Sequence, residues 1–199
     1  MFRGSYVALI TPMTDDGLVD YAGLEQLVEY QIANGTDGLI IMGTTGEAAT
    51  IPFPEQLEVL AAVIAQVAGR CQVLAGNGSN STAEAVEKTL QLNQLAIDGF
   101  LTVTPYYNKP TQKGMIAHFK AVAAAATKPV LLYNVPGRTG VDILATTVGE
   151  LSQVENIVGI KEATGSMTRL AELQQYCRKG FSFLSGDDAT AAEFVLQGG

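Results

Sequence analysis

The sequence predicts an α/β fold of the (β/α)8 barrel type, with about seven βα units in one domain over residues 1–199. Three observations lead there. Short apolar, β-branched runs alternate with helical patterns along the whole chain, the signature of βα units on a parallel sheet. The unit recurs about every 30 residues, with no linker, charge block or low-complexity segment between repeats. Nearly every strand-like run also ends in unusual polar or aromatic residues. That pattern favours a barrel, whose chemistry sits at strand C-termini, over an open doubly wound sheet.

The units follow in order. A first run at Tyr6–Ile10 precedes a helical pattern over Tyr21–Ala33, which Gly35 stops. Gly38–Met42 leads to a helix over Glu55–Val67. Gln72–Ala75 leads to one over Thr82–Ala96; Ser81-Thr82-Ala83-Glu84 fits a capping box at its start, and Gly99 reads as its stop. Between them, Gly76-Asn77-Gly78-Ser79 is a tight turn and not a dinucleotide fingerprint, because the third glycine is missing. Phe100–Thr104 with Lys113–Ala126, Val130–Tyr133 with Ile143–Ser152, and Ile157–Lys161 with Met167–Cys177 give three more units. The seventh joins Phe181–Ser185 to Ala189–Leu196. Gly198-Gly199 falls about where an eighth strand should start, so a truncated barrel is expected, with strands one and seven as unpaired edges.

Composition narrows the function classes. The chain is 47% hydrophobic and 16% charged with 21 Gly, ordinary for a soluble α/β domain. A net charge of −8 and the lack of basic runs argue against nucleic acid and anionic membranes as partners. Cys71 and Cys177 are too far apart for a metal motif and read as reduced, buried thiols. Met1-Phe2-Arg3-Gly4-Ser5-Tyr6 lacks the layout of a signal peptide, and no stretch matches a membrane span, so a cytoplasmic protein is expected. The one histidine, His118, falls mid-helix and reads as structural, so no His-centred triad or metal cluster is expected.

Lys161 is the residue with the most chemical content. It stands in Ile157-Val158-Gly159-Ile160-Lys161-Glu162-Ala163, a run that reads as a strand buried on both faces. A buried ammonium must pair or lose its proton, and a lysine with a lowered pKa is a nucleophile toward carbonyls. A snorkelling or ion-paired lysine is the plain alternative. Tyr133, one strand away, would put a phenol at the same depth. Gly43-Thr44-Thr45-Gly46-Glu47 could offer hydroxyls and N–H groups to an anion, although taken alone it reads first as a plain Gly/Thr turn; Arg138, in a Pro/Gly loop, could offer a guanidinium to a carboxylate, although taken alone it reads first as a solvated loop cation. Tyr106 and Tyr107 cannot both point into a barrel, so one would serve a loop or a subunit contact. Asp187 and Asp188 read as the N-cap of the last helix.

Three of these motifs, Gly43–Glu47, Tyr133-Asn134-Val135-Pro136 with Arg138-Thr139-Gly140, and Gly159–Gly165, together resemble the dihydrodipicolinate synthase family. These are pyruvate-dependent class I aldolases, a group that includes N-acetylneuraminate lyase. The likeness covers the whole chain from Phe2. It implies a carbon–carbon lyase or hydro-lyase that condenses pyruvate with L-aspartate 4-semialdehyde on the diaminopimelate route to lysine. It also implies a homotetramer built as a dimer of dimers. Lys161 would form the imine with pyruvate, with no metal or organic cofactor. Tyr133 would be the general acid/base, and Thr44 and Tyr107 would complete a proton relay, Tyr107 from a neighbouring subunit. Thr45 would hold the pyruvate carboxylate, Arg138 the semialdehyde carboxylate, and Gly186 would give a backbone contact.

The resemblance further implies a lysine feedback site between subunits, matched here by Ala49, Asn80, Glu84 and Tyr106. Phe53 and Gln56 stand where sensitive members have histidines, so weak or absent inhibition is expected. Family members continue through an eighth strand and a helical C-terminal region, so poor binding and slow turnover are expected of this chain. Two rivals stand beside this reading: another aldolase of the group acting on a sugar acid, and a non-catalytic remnant.

Overall fold

The computed structural model describes residues 2–199. Met1, at the head of the N-terminal segment, lies outside the described residues. Strands and helices alternate, and consecutive strands are neighbours in the order β1-β2-β3-β4-β5-β6-β7. The residues gather into two compact units. One holds Gly4–Gly76 and Leu92–Phe100; the other holds Asn77–Gln91 and Leu101–Gly199, with the N-terminal residues up to Arg3.

In the first unit, β1 (Tyr6–Ala8), β2 (Gly38–Ile41) and β3 (Gln72–Gly76) are parallel, with Tyr6 opposite Gly38 and Gly38 opposite Gln72. β2 is Gly-Leu-Ile-Ile and is buried throughout, as a central parallel strand of branched residues should be. α1 (Tyr21–Ala33) starts where the Asp20 carboxylate accepts the Gly23 N–H, and stops at Gly35, whose φ of 81° suits glycine. α2 (Phe53–Val67) begins two residues before the predicted Glu55. Pro54 fits a first turn, where no N–H is needed. Its buried stripe of Val59, Leu60, Val63 and Val67 has helical spacing and supplies core.

The second unit carries α3 (Thr82–Leu92), α4 (Gln112–Ala125), β5 (Val130–Asn134), α5 (Pro136–Thr139), α6 (Ala145–Leu151), β6 (Ile157–Glu162), α7 (Met167–Tyr176), β7 (Ser182–Ser185) and α8 (Ala191–Leu196). β4 (Gly99–Val103) leads into it. α3 stops at Leu92, short of the predicted Ala96, and Gly99 opens β4 instead of closing the helix. The capping box is only half made. The Ser81 hydroxyl accepts the Glu84 N–H, but the Glu84 carboxylate takes the Ser79 hydroxyl and Lys88. α5 is a single helical turn where the sequence suggested a plain loop; Pro136 starts it and Gly140, at φ 72°, ends it.

Candidate active site

Two neighbouring strands put chemistry on both of their faces. β5 and β6 pair with Tyr133 opposite Lys161 and Asn134 opposite Glu162. Side chains alternate along a strand, so Tyr133 and Lys161 share one face and Asn134 and Glu162 the other. Lys161 Nζ lies 4.7 Å from the centroid of the buried Tyr133 ring. Burial lowers the Lys161 pKa, and the nearby Asp188 carboxylate opposes that shift without reversing it.

Gly186, at the end of β7, makes room for this amine. A Cβ there would come within 2.8 Å of Lys161 Cε and 3.0 Å of Ala163 Cβ. The Gly186 N–H already donates to the Glu162 carbonyl at 2.7 Å, which leaves its carbonyl for any further contact. Asp187 does not cap α8 as the sequence suggested. Its carboxylate takes both the N–H and the hydroxyl of Thr190, closing the turn before the helix.

Two other residues from the strand ends of this unit, Arg138 and Tyr107, are open to solvent. Arg138 is exposed on the single turn α5. Tyr107 is 88% exposed at a φ of 72°, in a three-residue turn closed by the Asn108 N–H on the Tyr106 carbonyl. Its own N–H donates to the Thr139 carbonyl. Asn80 accepts through its carbonyl from the Asn108 amide, and Tyr106 is half-buried beside Tyr107. Glu84 is exposed and engaged as described.

In the first unit, Thr44 and Thr45 are exposed in the turn after β2. Met42 and Glu47, before and after them, have φ of 56°, a strained value for residues with side chains. Gln56 holds this turn. Only 3% exposed, it donates both amide hydrogens, to the carbonyls of Ala48 and Ile51, each at 2.8 Å. Ala49 lies exposed in the same segment.

Sequence reasoning missed the polar cluster behind the Lys161 pair. The Asn134 amide donates to Asp142 Oδ1 at 2.8 Å and to the Glu162 carboxylate at 3.0 and 3.2 Å. Arg169 bridges Asp142 and the Ile143 carbonyl. Glu162 is 3% exposed, and burial raises its pKa against the hydrogen bonds of Asn134 and Thr164. The available signal was the Asn after Tyr133 and the Glu after Lys161, which strand alternation puts on one face.

Among the described residues, no group of three or more His, Cys, Asp or Glu could hold a metal ion. None of the described helices is long and apolar enough to cross a membrane. His118 is buried in α4, with Nδ1 2.9 Å from the Thr82 hydroxyl. Cys71 and Cys177 are free thiols, half-buried and not fully buried as expected.

The model of the dihydrodipicolinate synthetase family matches residues 1–199. The chain belongs to that family. Among curated relatives, the 4-hydroxy-tetrahydrodipicolinate synthase of Shewanella sp. (strain W3-18-1) is 55% identical over 199 residues, 100% of this chain and 68% of the relative. The chloride-inhibited dihydrodipicolinate synthase of Acinetobacter baumannii, solved in complex with pyruvate, matches with a TM-score of 0.97 and 47% identity. That match covers 100% of this chain and 68% of the solved one. The synthase of Cyanidioschyzon merolae, solved with lysine bound, matches at a TM-score of 0.94 and 44% identity over 98% of this chain and 67% of its own. The chain thus spans about two thirds of the length of these proteins. Its seven parallel strands, each followed by a helix, are βα units of the (β/α)8 barrel fold, as the sequence predicted.

Proposed function

We propose that this chain performs the chemistry of a 4-hydroxy-tetrahydrodipicolinate synthase, a class I aldolase-type lyase that joins pyruvate to L-aspartate 4-semialdehyde. The observation that carries the reading is the half-buried Lys161, its amine 4.7 Å from the centre of the Tyr133 ring and its pKa lowered by burial. Among the family's relatives, a solved synthase holds pyruvate.

The neutral Lys161 amine attacks the pyruvate ketone, and the carbinolamine loses water to give the imine. Loss of a methyl proton gives the enamine, with the imine nitrogen taking the electron pair. The enamine carbon then adds to the semialdehyde carbonyl. Attack by the substrate's own amine on the imine carbon closes the ring and releases Lys161. Tyr133 is the acid/base for the proton transfers, with Thr44 and Tyr107 as relay partners and Tyr107 supplied by a second subunit of a homotetramer. Thr45 and Arg138 hold the two substrate carboxylates, and Gly186 contributes its carbonyl. The lysine itself is the electron sink, so the scheme uses no metal or organic cofactor.

Borohydride reduction in the presence of pyruvate tests the reading, followed by peptide mapping. A stable adduct on Lys161, abolished in Lys161→Ala, is expected. Folded protein without an adduct would overturn the assignment and leave a non-catalytic member of the family. A panel of aldehydes with pyruvate then separates the semialdehyde from sugar-acid substrates.

A further inference from the structure

We infer that Asn134, Glu162, Asp142 and Arg169 form a positioning device that locks the ends of β5 and β6 together and so holds the Lys161 amine over the Tyr133 ring. The inference rests on the catalytic reading of Lys161 for its purpose, but its geometry stands apart from it.

The chemistry of the cluster is specific. Asn134 is fully buried and stands between two carboxylates, donating one hydrogen to each. Its oxygen accepts the Ile143 N–H at 3.3 Å. An aspartate at this position would place a third anion between the two, and a leucine would leave Asp142 only Arg169 and Glu162 only the Thr164 N–H, so a side chain with two donors suits the position best. Among the described residues no cation makes an ion pair with Glu162, and Arg169 acts on it only from its place beside Asp142. The partners of Glu162 are the Asn134 amide and the Thr164 N–H at 2.8 Å, while Arg169 is paired with Asp142. Burying such a carboxylate costs several kcal/mol. Apolar residues would join two strands without that cost, so adhesion alone does not account for it.

What the cluster adds is registry. At the same level the Ala163 N–H meets the Asn134 carbonyl and the Gly186 N–H meets the Glu162 carbonyl, at 2.9 and 2.7 Å. Arg169 on α7 ties in the segment after β5 through Asp142 and Ile143. One residue back along each strand lie Tyr133 and Lys161. Their side chains cannot slide along the strands while this network is intact.

Competitive labelling of amines over a range of pH, read at the Lys161 peptide, tests this in the 199-residue chain. Glu162→Gln keeps the shape and removes the charge; Asn134→Ala removes the two donors. If the network positions Lys161, its labelling midpoint moves up toward that of an ordinary lysine in both variants. Loss of a neighbouring negative charge alone would move it down, so the sign separates the two effects. Val148→Ala, a buried cavity in α6, controls for general destabilisation and should leave the midpoint in place. Trapping of pyruvate should fall at least tenfold in both network variants. An unchanged or lowered midpoint in Glu162→Gln overturns the inference, and that isosteric variant decides if Asn134→Ala does not fold. If the wild-type chain traps no pyruvate but the midpoints rise as expected, the function falls and the positioning device stands.

Discussion

At the scale of the residue, the environment of Lys161 makes two predictions. Gly186→Ala introduces a Cβ 2.8 Å from Lys161 Cε, and the lysine stem must shift. Misplacement of a reacting group on the ångström scale costs on the order of 10²-fold in rate. Pyruvate trapping in Gly186→Ala should therefore slow by about that factor, with little change in denaturation midpoint; an unchanged rate would remove Gly186 from the site. Asp188 gives the second. Its carboxylate raises the Lys161 pKa against the larger effect of burial. In Asp188→Asn the amine should lose its proton at lower pH, so the rising limb of the trapping rate moves to lower pH; a shift upward would contradict the electrostatics. The sequence made Lys161 and Tyr133 legible because a cation and a phenol at strand ends are chemically conspicuous. It hid the part played by Glu162, because nothing in the run around Lys161 says what a neighbouring carboxylate meets. Only the pairing of Asn134 with Glu162 shows that the second face is equally polar.

At the scale of the element, most strands and helices were readable from periodicity, and the misses have local causes. α3 ends early and Gly99 joins β4, since the segment after Leu92 turns before the strand and the glycine has no helix left to stop. α5 was not visible because Pro-Gly is turn punctuation, yet Pro136 also suits a first helical turn. In the sequence Gln56 stands out only as a replacement for a histidine, while in the structure it clamps the turn that carries Thr44 and Thr45. Gln56→Leu leaves the Ala48 and Ile51 carbonyls without this donor. A loss of about 2–3 kcal/mol is expected by urea denaturation, with faster amide exchange confined to residues 43–51. His118 makes the packing of α4 depend on pH. Burial lowers its pKa from 6.5 to about 4, so the folded chain holds it neutral. A depressed pKa contributes stability that is complete above pH 6.5 and is lost as pH falls toward 4, on the order of 3 kcal/mol at about 1.4 kcal/mol per unit. Glu162, with its raised pKa, acts in the opposite sense over the acid range. Comparing His118→Gln with the parent at pH 7 and pH 4.5 isolates the histidine. The parent should lose more stability than the variant, and equal losses would show that His118 does not drive the change.

At the scale of the whole molecule, the question is whether the chain works alone or in an assembly, and Tyr107 bears on it directly. A tyrosine 88% exposed, at a φ of 72°, has neither burial nor a relaxed backbone to recommend it within one subunit. The left-handed conformation costs a residue with a side chain about 1–2 kcal/mol, which glycine avoids. Part of that gain is offset because glycine loses more backbone freedom on folding, about 0.5–1 kcal/mol. Tyr107→Gly should thus leave the isolated chain equally stable or up to about 1.5 kcal/mol more stable. If Tyr107 completes a proton relay in a neighbouring subunit, the same variant should lose turnover by on the order of 10²-fold and weaken association in sedimentation velocity. Opposite signs for stability and activity are the mark of a residue strained for function. If the relay is shared in this way, the parent should also show turnover per chain that rises with protein concentration. Tyr107→Phe separates the two contributions, keeping the ring for packing while removing the hydroxyl. It should associate like the parent and react like Tyr107→Gly. A Tyr107→Gly chain that is less stable yet fully active, with turnover independent of concentration, would place Tyr107 outside both the relay and the subunit contact.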